Sequence, residues 1–317
     1  MPDKGLGQLG DGMLFAAVVV YALAMLAFAG EQATRRARRT VTAVREARVV
    51  AAVGGPSVTL PAETVTEERP SRAGRFGLVL ALVGWGIHVA SITIRGFAAD
   101  RVPWGNMYEF SSCVAWVGVS AYLLLVARRR VERALGVFIM LPVVLYLGLA
   151  ATQLYTEAGP LVPALNSYWI KIHVAAAILA SGSFLLSGVV AVLYLFRSRY
   201  DARLAARKTT SPTVLPSAAV LDRVSYSVIA FAFPIWTFSI IAGAIWAEAA
   251  WGRYWGWDPK ETWSFITWVL YAGYLHARAT AGWKGRKAAW VAVAAAVALI
   301  VDYYVVNIFV VGLHSYA

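Results

Sequence analysis

The stretch Trp251-Gly252-Arg253-Tyr254-Trp255-Gly256-Trp257-Asp258-Pro259-Lys260-Glu261-Thr262-Trp263 joins flat aromatic faces to a few ionisable groups. Six of the chain's 13 tryptophans, Trp246, Trp251, Trp255, Trp257, Trp263 and Trp268, lie between residues 246 and 268. An aromatic belt at a membrane surface explains tryptophans in general. It does not require Gly252 and Gly256 between them, so the pattern points to a site for a large planar ligand. Asp258 before Pro259 has the form of a helix N-cap; kept ionised near Lys260, it could also orient a ligand. The remaining residues suited to chemistry are four histidines, His88, His173, His276 and His314. Neutral imidazole is the commonest protein ligand for metals.

The elements that position these residues are read from apolarity and charge. The 317-residue chain is 60% hydrophobic and 15% charged, whereas soluble domains carry about 25% charged residues. The class is therefore an all-α polytopic membrane protein. Eight segments are long and apolar enough to span a bilayer: about 12–30, 76–95, 108–127, 135–153, 169–196, 225–247, 263–279 and 288–312. Of the 29 Lys and Arg residues, only Lys4, Arg95, Arg101, Lys171, Arg253 and Lys260 fall on the side that holds the N-terminus, and the rest lie on the opposite side. The positive-inside rule then puts both termini and the Trp-rich loop outside. Ala27-Phe28-Ala29 resembles a signal-peptide cleavage site, but Arg35, Arg36, Arg38 and Arg39 follow the apolar run, which fits an uncleaved helix. The net charge of +12 is thus a matter of topology, and no nucleic-acid partner is expected. Residues 1–75 read as a first membrane helix with a basic cytoplasmic linker, whose second half is flexible. Residues 76–317 read as the functional transmembrane domain, with its loop at about 246–263. Cys113 alone excludes an internal disulfide, a CxxC redox pair and covalent haem attachment through CxxCH, and reads as a small apolar helix residue.

This topology sorts the histidines by depth. His173 lies roughly 6 Å below the outer surface, and His314 sits at the outer end of the eighth segment. Both are level with the Trp-rich loop, and two neutral imidazoles across an aromatic floor make a bis-His axial site for haem iron. His276 lies about 20 Å further in, as an inner ligand or as a helix-end group beside Arg278. His88 is at mid-membrane, where an ionisable group is costly; it is a weak ligand candidate or a satisfied packing residue. Arg95 and Arg101 could meet anionic propionates or lipid headgroups. Asp302 and Asn307 could bond a neighbouring helix.

At these residues the chain resembles the CcsA/ResC family of System II cytochrome c biogenesis, within the haem-handling superfamily. The tryptophan-rich "WWD" signature runs from Trp251-Gly252 through Trp255-Gly256-Trp257-Asp258-Pro259-Lys260-Glu261. Supporting matches are Pro103, Asn106, Tyr108 and Glu109, and Asn307 with Gly312-Leu313-His314-Ser315-Tyr316. The resemblance implies that non-covalent haem b crosses the membrane and waits on the WWD loop, with His173 and His314 as axial ligands. There it is presented for thioether attachment to a CxxCH apocytochrome c. It also implies an inner transit site at His276, whose partner histidine comes from a CcsB/ResB-type subunit. Trp251, Trp255, Trp257 and Asp258 would contact the haem, whereas His88 has no secure role in the family. Reducing power would come from a thiol-reducing system of the CcdA/thioredoxin-like kind. The chain would be a multi-pass protein of the bacterial plasma membrane, in contact with lipid. It would act as a subunit of a cytochrome c synthase rather than as a stand-alone enzyme. The competing readings are a proton-coupled transporter using Asp302, His88 and His276, and a respiratory cytochrome b-like subunit.

Overall fold

The computed structural model describes residues 3–53, 71–161, 167–207, 213 and 215–314, with the side chains of 36–53 and 134 left aside. Residues 54–70, in the expected flexible linker, lie outside that range, as do Ser315, Tyr316 and most of 208–214. Among the described residues there are eight long helices and no strand: α1 (Lys4–Val53), α2 (Arg72–Ala99), α3 (Met107–Ala127), α4 (Gly136–Gln153), α5 (Tyr168–Ala206), α6 (Ala218–Trp251), α7 (Pro259–Thr280) and α8 (Arg286–Ile300). The last continues through a π-helical turn, Val301–Val306, to Phe309. Local chemistry sets several starts: Ser71, Asn106, Ser217 and Asp258 each cap the helix that follows with a side-chain oxygen.

Seven of these helices are long and apolar enough to cross a membrane. The exception is α7, whose 22 residues would span about 33 Å but whose composition is mixed. Its polar residues Glu261, Thr267 and Tyr271 face inward and are buried, while Phe265 and Val269 are exposed. Asp258, at the start of α7, bonds the backbone of Leu313 just past α8, and the two helices pack together. α7 therefore runs through the same depth as α8, which completes the expected eight-helix bundle.

Packing pairs α1 with α2 and α5 with α6, and α8 lies against both α5 and α7. On α2, Gly77 and Gly84 let Phe28 and Tyr21 of α1 lie against the backbone. One end of the bundle is held by buried charge. Glu109 on α3 accepts from Arg101 Nη1 at 2.7 Å, Arg95 Nη2 at 3.2 Å and the Gly105 N–H at 2.8 Å. Arg95 also reaches Asp11 on α1, which Tyr108 and Tyr155 bond in turn. Both arginines are thus engaged within the protein, which corrects the expectation that they are open to propionates.

Removing one member of a buried ion cluster leaves an uncompensated charge, at a cost of about 3–5 kcal/mol. Glu109→Ala should therefore lower the thermal unfolding midpoint of the detergent-purified protein sharply. Asp201→Ala, which breaks the half-exposed Arg197–Asp201 pair, should cost no more than about 0.5 kcal/mol.

Candidate functional site

The loop between α6 and α7 is shaped by one reversal and two carboxylates. α6 stops at Trp251 because Gly252 adopts a left-handed conformation, φ 70°, with its N–H bonded to the Glu248 carbonyl at 2.8 Å. Trp257 also has positive φ, 57°, a costly conformation for a non-glycine residue that its surroundings must enforce. Glu261 supplies that restraint: its Oε2 accepts from the N–H groups of Gly256 (2.8 Å) and Asp258 (3.0 Å), and Arg253 pairs with Oε1 at 3.4 Å. With the Asp258 side chain accepting from the first turn of α7, the two form a capping box.

Asp258 also holds the chain after α8. Its Oδ1 accepts from the Leu313 N–H at 2.8 Å and its Oδ2 from His314 Nδ1 at 2.9 Å. The approach depends on Gly312, where a Cβ would lie 2.8 Å from Oδ1. Helix had been expected to residue 312; it ends at Phe309, and the following turn is drawn back onto this carboxylate. Trp251 and Trp246 flank the His314 ring, at 4.9 and 6.1 Å between centroids. Burial would raise the Asp258 pKa, but its bonds to Leu313 and His314 outweigh it and hold the carboxyl below the usual value. Burial pushes the His314 imidazole down more than Asp258 pulls it up. His314 is therefore neutral at pH 7, with its proton on Nδ1 and the lone pair on Nε2.

His173, on the first turns of α5, reaches the same state by another route. Its Nδ1 lies 2.8 Å from the backbone carbonyl of Ser239 on α6. A carbonyl can only accept, so Nδ1 carries a proton, and in the neutral ring the lone pair lies on Nε2. The Ser239 hydroxyl returns a bond to the His173 carbonyl at 3.1 Å. Gly243, one turn on, makes room: a Cβ there would stand 2.7 Å from His173 Nδ1.

Both histidines line one cleft of about 210 Å³, shared with Trp104, Trp246, Trp251 and Trp255. The expected platform is thus partly redistributed. Trp257 is 64% exposed and stands edge-on to Trp255 outside the lining, and Asp258 acts from behind through His314. His276 is exposed on the far half of α7, away from the cleft. His88 is fully buried between helices, with Tyr21 3.3 Å from Nδ1 and Ser112 3.0 Å from Nε2. Both its nitrogens are committed to α1 and α3, so the structure does not bring it to the site. Sequence reasoning missed Ser239 and Gly243, which position His173 but have no distinctive spacing. It also missed Trp104, which lies far from the motif in sequence.

Partners that orient a metal-ligating histidine are typically worth 10- to 100-fold, as an order of magnitude, in metal affinity. On the sequence expectation that His173 and His314 ligate haem iron, Asp258→Asn and Gly243→Ala should each weaken equilibrium binding of ferric haem to the purified protein by about that factor. Ser264→Ala, at a lining position whose hydroxyl donates to the Glu261 carbonyl of its own helix, should leave binding within about twofold.

A family model described as cytochrome C assembly protein matches residues 104–314, the span from the Trp104 loop to His314. The chain is 34% identical over 275 residues to the cytochrome c biogenesis protein CcsA of Gloeobacter violaceus, covering 71% of this chain and 81% of that protein. It is 35% identical over 292 residues to the CcsA of Microcystis aeruginosa, covering 75% and 88% respectively. Among solved structures, the cytochrome c haem lyase CcmF aligns with a TM-score of 0.59 over 96% of this chain and 47% of that one. At 17% identity this likeness speaks for a shared fold. The described helices, the cleft and these relatives agree: the chain is a multi-pass membrane protein of the cytochrome c assembly family, on its CcsA branch.

Proposed function

We propose that this protein serves cytochrome c maturation by receiving haem in the membrane and holding it at the cleft for attachment to an apocytochrome. One observation carries the reading: His173 and His314 line the same aromatic cleft, each with Nδ1 donating to a fixed acceptor and Nε2 bearing the lone pair. The donor set fits haem, since two neutral imidazoles suit its axial positions and Trp251 and Trp255 offer apolar faces to the ring.

Haem supplies the vinyl groups to which the cysteine thiols of a CxxCH segment add. The protein's residues hold and orient. His173 is fixed by α6 and His314 by α7, so relative movement of these helices changes the distance between the two ligands. Trp246 and Trp251 keep water from the His314 side. The one cysteine, Cys113, is buried on α3, so we assign the reducing equivalents to a separate thiol system and the remaining work to a CcsB/ResB-type subunit. We assign His276, exposed on α7, to an inner transit site completed by that partner. To His88 we assign a packing role, in view of its two bonded nitrogens. The surplus of Lys and Arg at the opposite end of the bundle supports an outward-facing cleft in a bacterial plasma membrane.

A proton relay through Asp302, His88 and His276 is the competing reading. Asp302 lines the cleft, whereas His276 lies 16 residues beyond Lys260 on the same helix, about 24 Å away. His88 is enclosed by Tyr21 and Ser112. Nothing described links the three.

The purified protein should carry substoichiometric b-type haem with a Soret band. His173→Gly and His314→Gly should each abolish cytochrome c maturation, with partial recovery when imidazole fills the vacated position. Normal maturation in both variants would refute the axial assignment. Replacing His276 should deplete haem at the cleft when the partner subunit is co-expressed.

A further inference from the structure

Two charges in the cleft have no part in the proposed ligation. Lys260 lines it from the first turn of α7, and Asp302 lines it from the π-helical turn of α8. A cation at a helix N-terminus opposes the macrodipole, and burying an ammonium without a full set of partners is costly. Packing alone gives no reason for a lysine there. Its Nζ has three protons to donate. Among the described residues it donates one hydrogen bond, to the Asp302 carbonyl at 3.3 Å, and lies 5.3 Å from the centroid of the Tyr303 ring. Asp302 is 4% exposed, and its Oδ1 accepts no hydrogen bond from the described residues. A cation with spare donors and a carboxylate with a spare acceptor thus face one cleft without a direct bond between their charged groups. Two other formal charges line the cleft. Glu261 is committed to the N–H groups of its own loop, which leaves Lys171 as the alternative cation.

We propose that Lys260 anchors a carboxylate of the bound ligand, a haem propionate on the reading above, and that Asp302 is a built-in competitor that limits the grip. An incoming carboxylate takes the open donors of Lys260 in a charge-assisted hydrogen bond. Asp302 draws on the same ammonium and repels the second anion, so the ligand is recognised by charge without being held too tightly to leave. A structural lysine would instead be closed by its own carboxylate.

The test compares ferric haem with its dimethyl ester, which keeps the ring and iron but has no ionisable carboxylate. Full-length purified protein is titrated with each, and dissociation constants are read from the Soret change. Wild type should bind haem about tenfold or more tighter than the ester, the range of a hydrogen bond to a charged group. Lys260→Met should bring that ratio close to one by weakening haem alone. Unaltered ester binding with a bis-His spectrum would show that the fold is intact. Asp302→Asn should widen the ratio, and Lys171→Met should leave it as in wild type. A ratio that survives Lys260→Met, or is lost in Lys171→Met instead, overturns the anchor, and an unchanged ratio in Asp302→Asn overturns the competitor. Wild type that binds neither compound defeats the haem reading itself. Wild type that binds both equally defeats only this proposal.

Discussion

The carboxylate of Asp258 is the interaction on which the site depends. It caps α7 through the Lys260 N–H, fastens the chain after α8 through the Leu313 N–H, and accepts a hydrogen bond from His314 Nδ1. An uncharged amide has one acceptor oxygen for these three donors, and a longer acid would not cap the helix from the same backbone position. The cap, the end of the bundle and the tautomer of His314 are coupled because one small anion serves them all. His173 has no such anion. It relies on a backbone carbonyl, and a carbonyl on a packed helix cannot rotate away, so the two rings are oriented by unlike but equally directional means.

The fold around the cleft follows from membrane physics with two departures. Polar groups are costly in lipid, and α7 deals with this by turning Glu261, Thr267 and Tyr271 inward while Phe265 and Val269 face outward. Such a helix scores as mixed by composition and still fits the bundle, because its neighbours supply the polar environment. The other departure is the cluster of Asp11, Arg95, Arg101 and Glu109 at one end, in which Arg95 and Glu109 are buried and paired with the partly exposed Asp11 and Arg101. They join α1, α2 and α3 beneath the loop that carries Trp104 into the cleft.

Much of this was legible in the sequence. Segment length and the placement of Lys and Arg marked out the helices, and Asp258-Pro259 with Glu261 read as a helix start that the structure builds as a capping box. The level of His173 and His314 followed from residue counting, because helical rise converts position directly into depth. What escaped was lateral. Depth along an axis says nothing about which way a side chain faces, so the roles of Ser239 and Gly243 behind His173 and of Trp104 in the cleft lining could not be read. Arg95 and Arg101 looked available because counting cannot show that Glu109 and Asp11 lie between the helices. The turn after Phe309 was hidden for a similar reason: Val310 and Val311 extend the apolar run, and only a distant carboxylate ends the helix.

The bond from His314 to Asp258 closes a chain segment of 56 residues in sequence separation, running down α7 and back up α8. A contact that closes such a loop is linked to whatever else binds the same ring. A ligand that takes Nε2 of a neutral imidazole makes its Nδ1–H a stronger donor, and so tightens the clasp on Asp258. Linkage requires the converse: a firmly closed clasp favours the ligand, and an opened one favours its departure by the same factor. The hairpin of α7 and α8 is thereby a reporter of occupancy. Its far end, where His276 and Arg278 stand, is continuous along α7 with the residue that clasps His314.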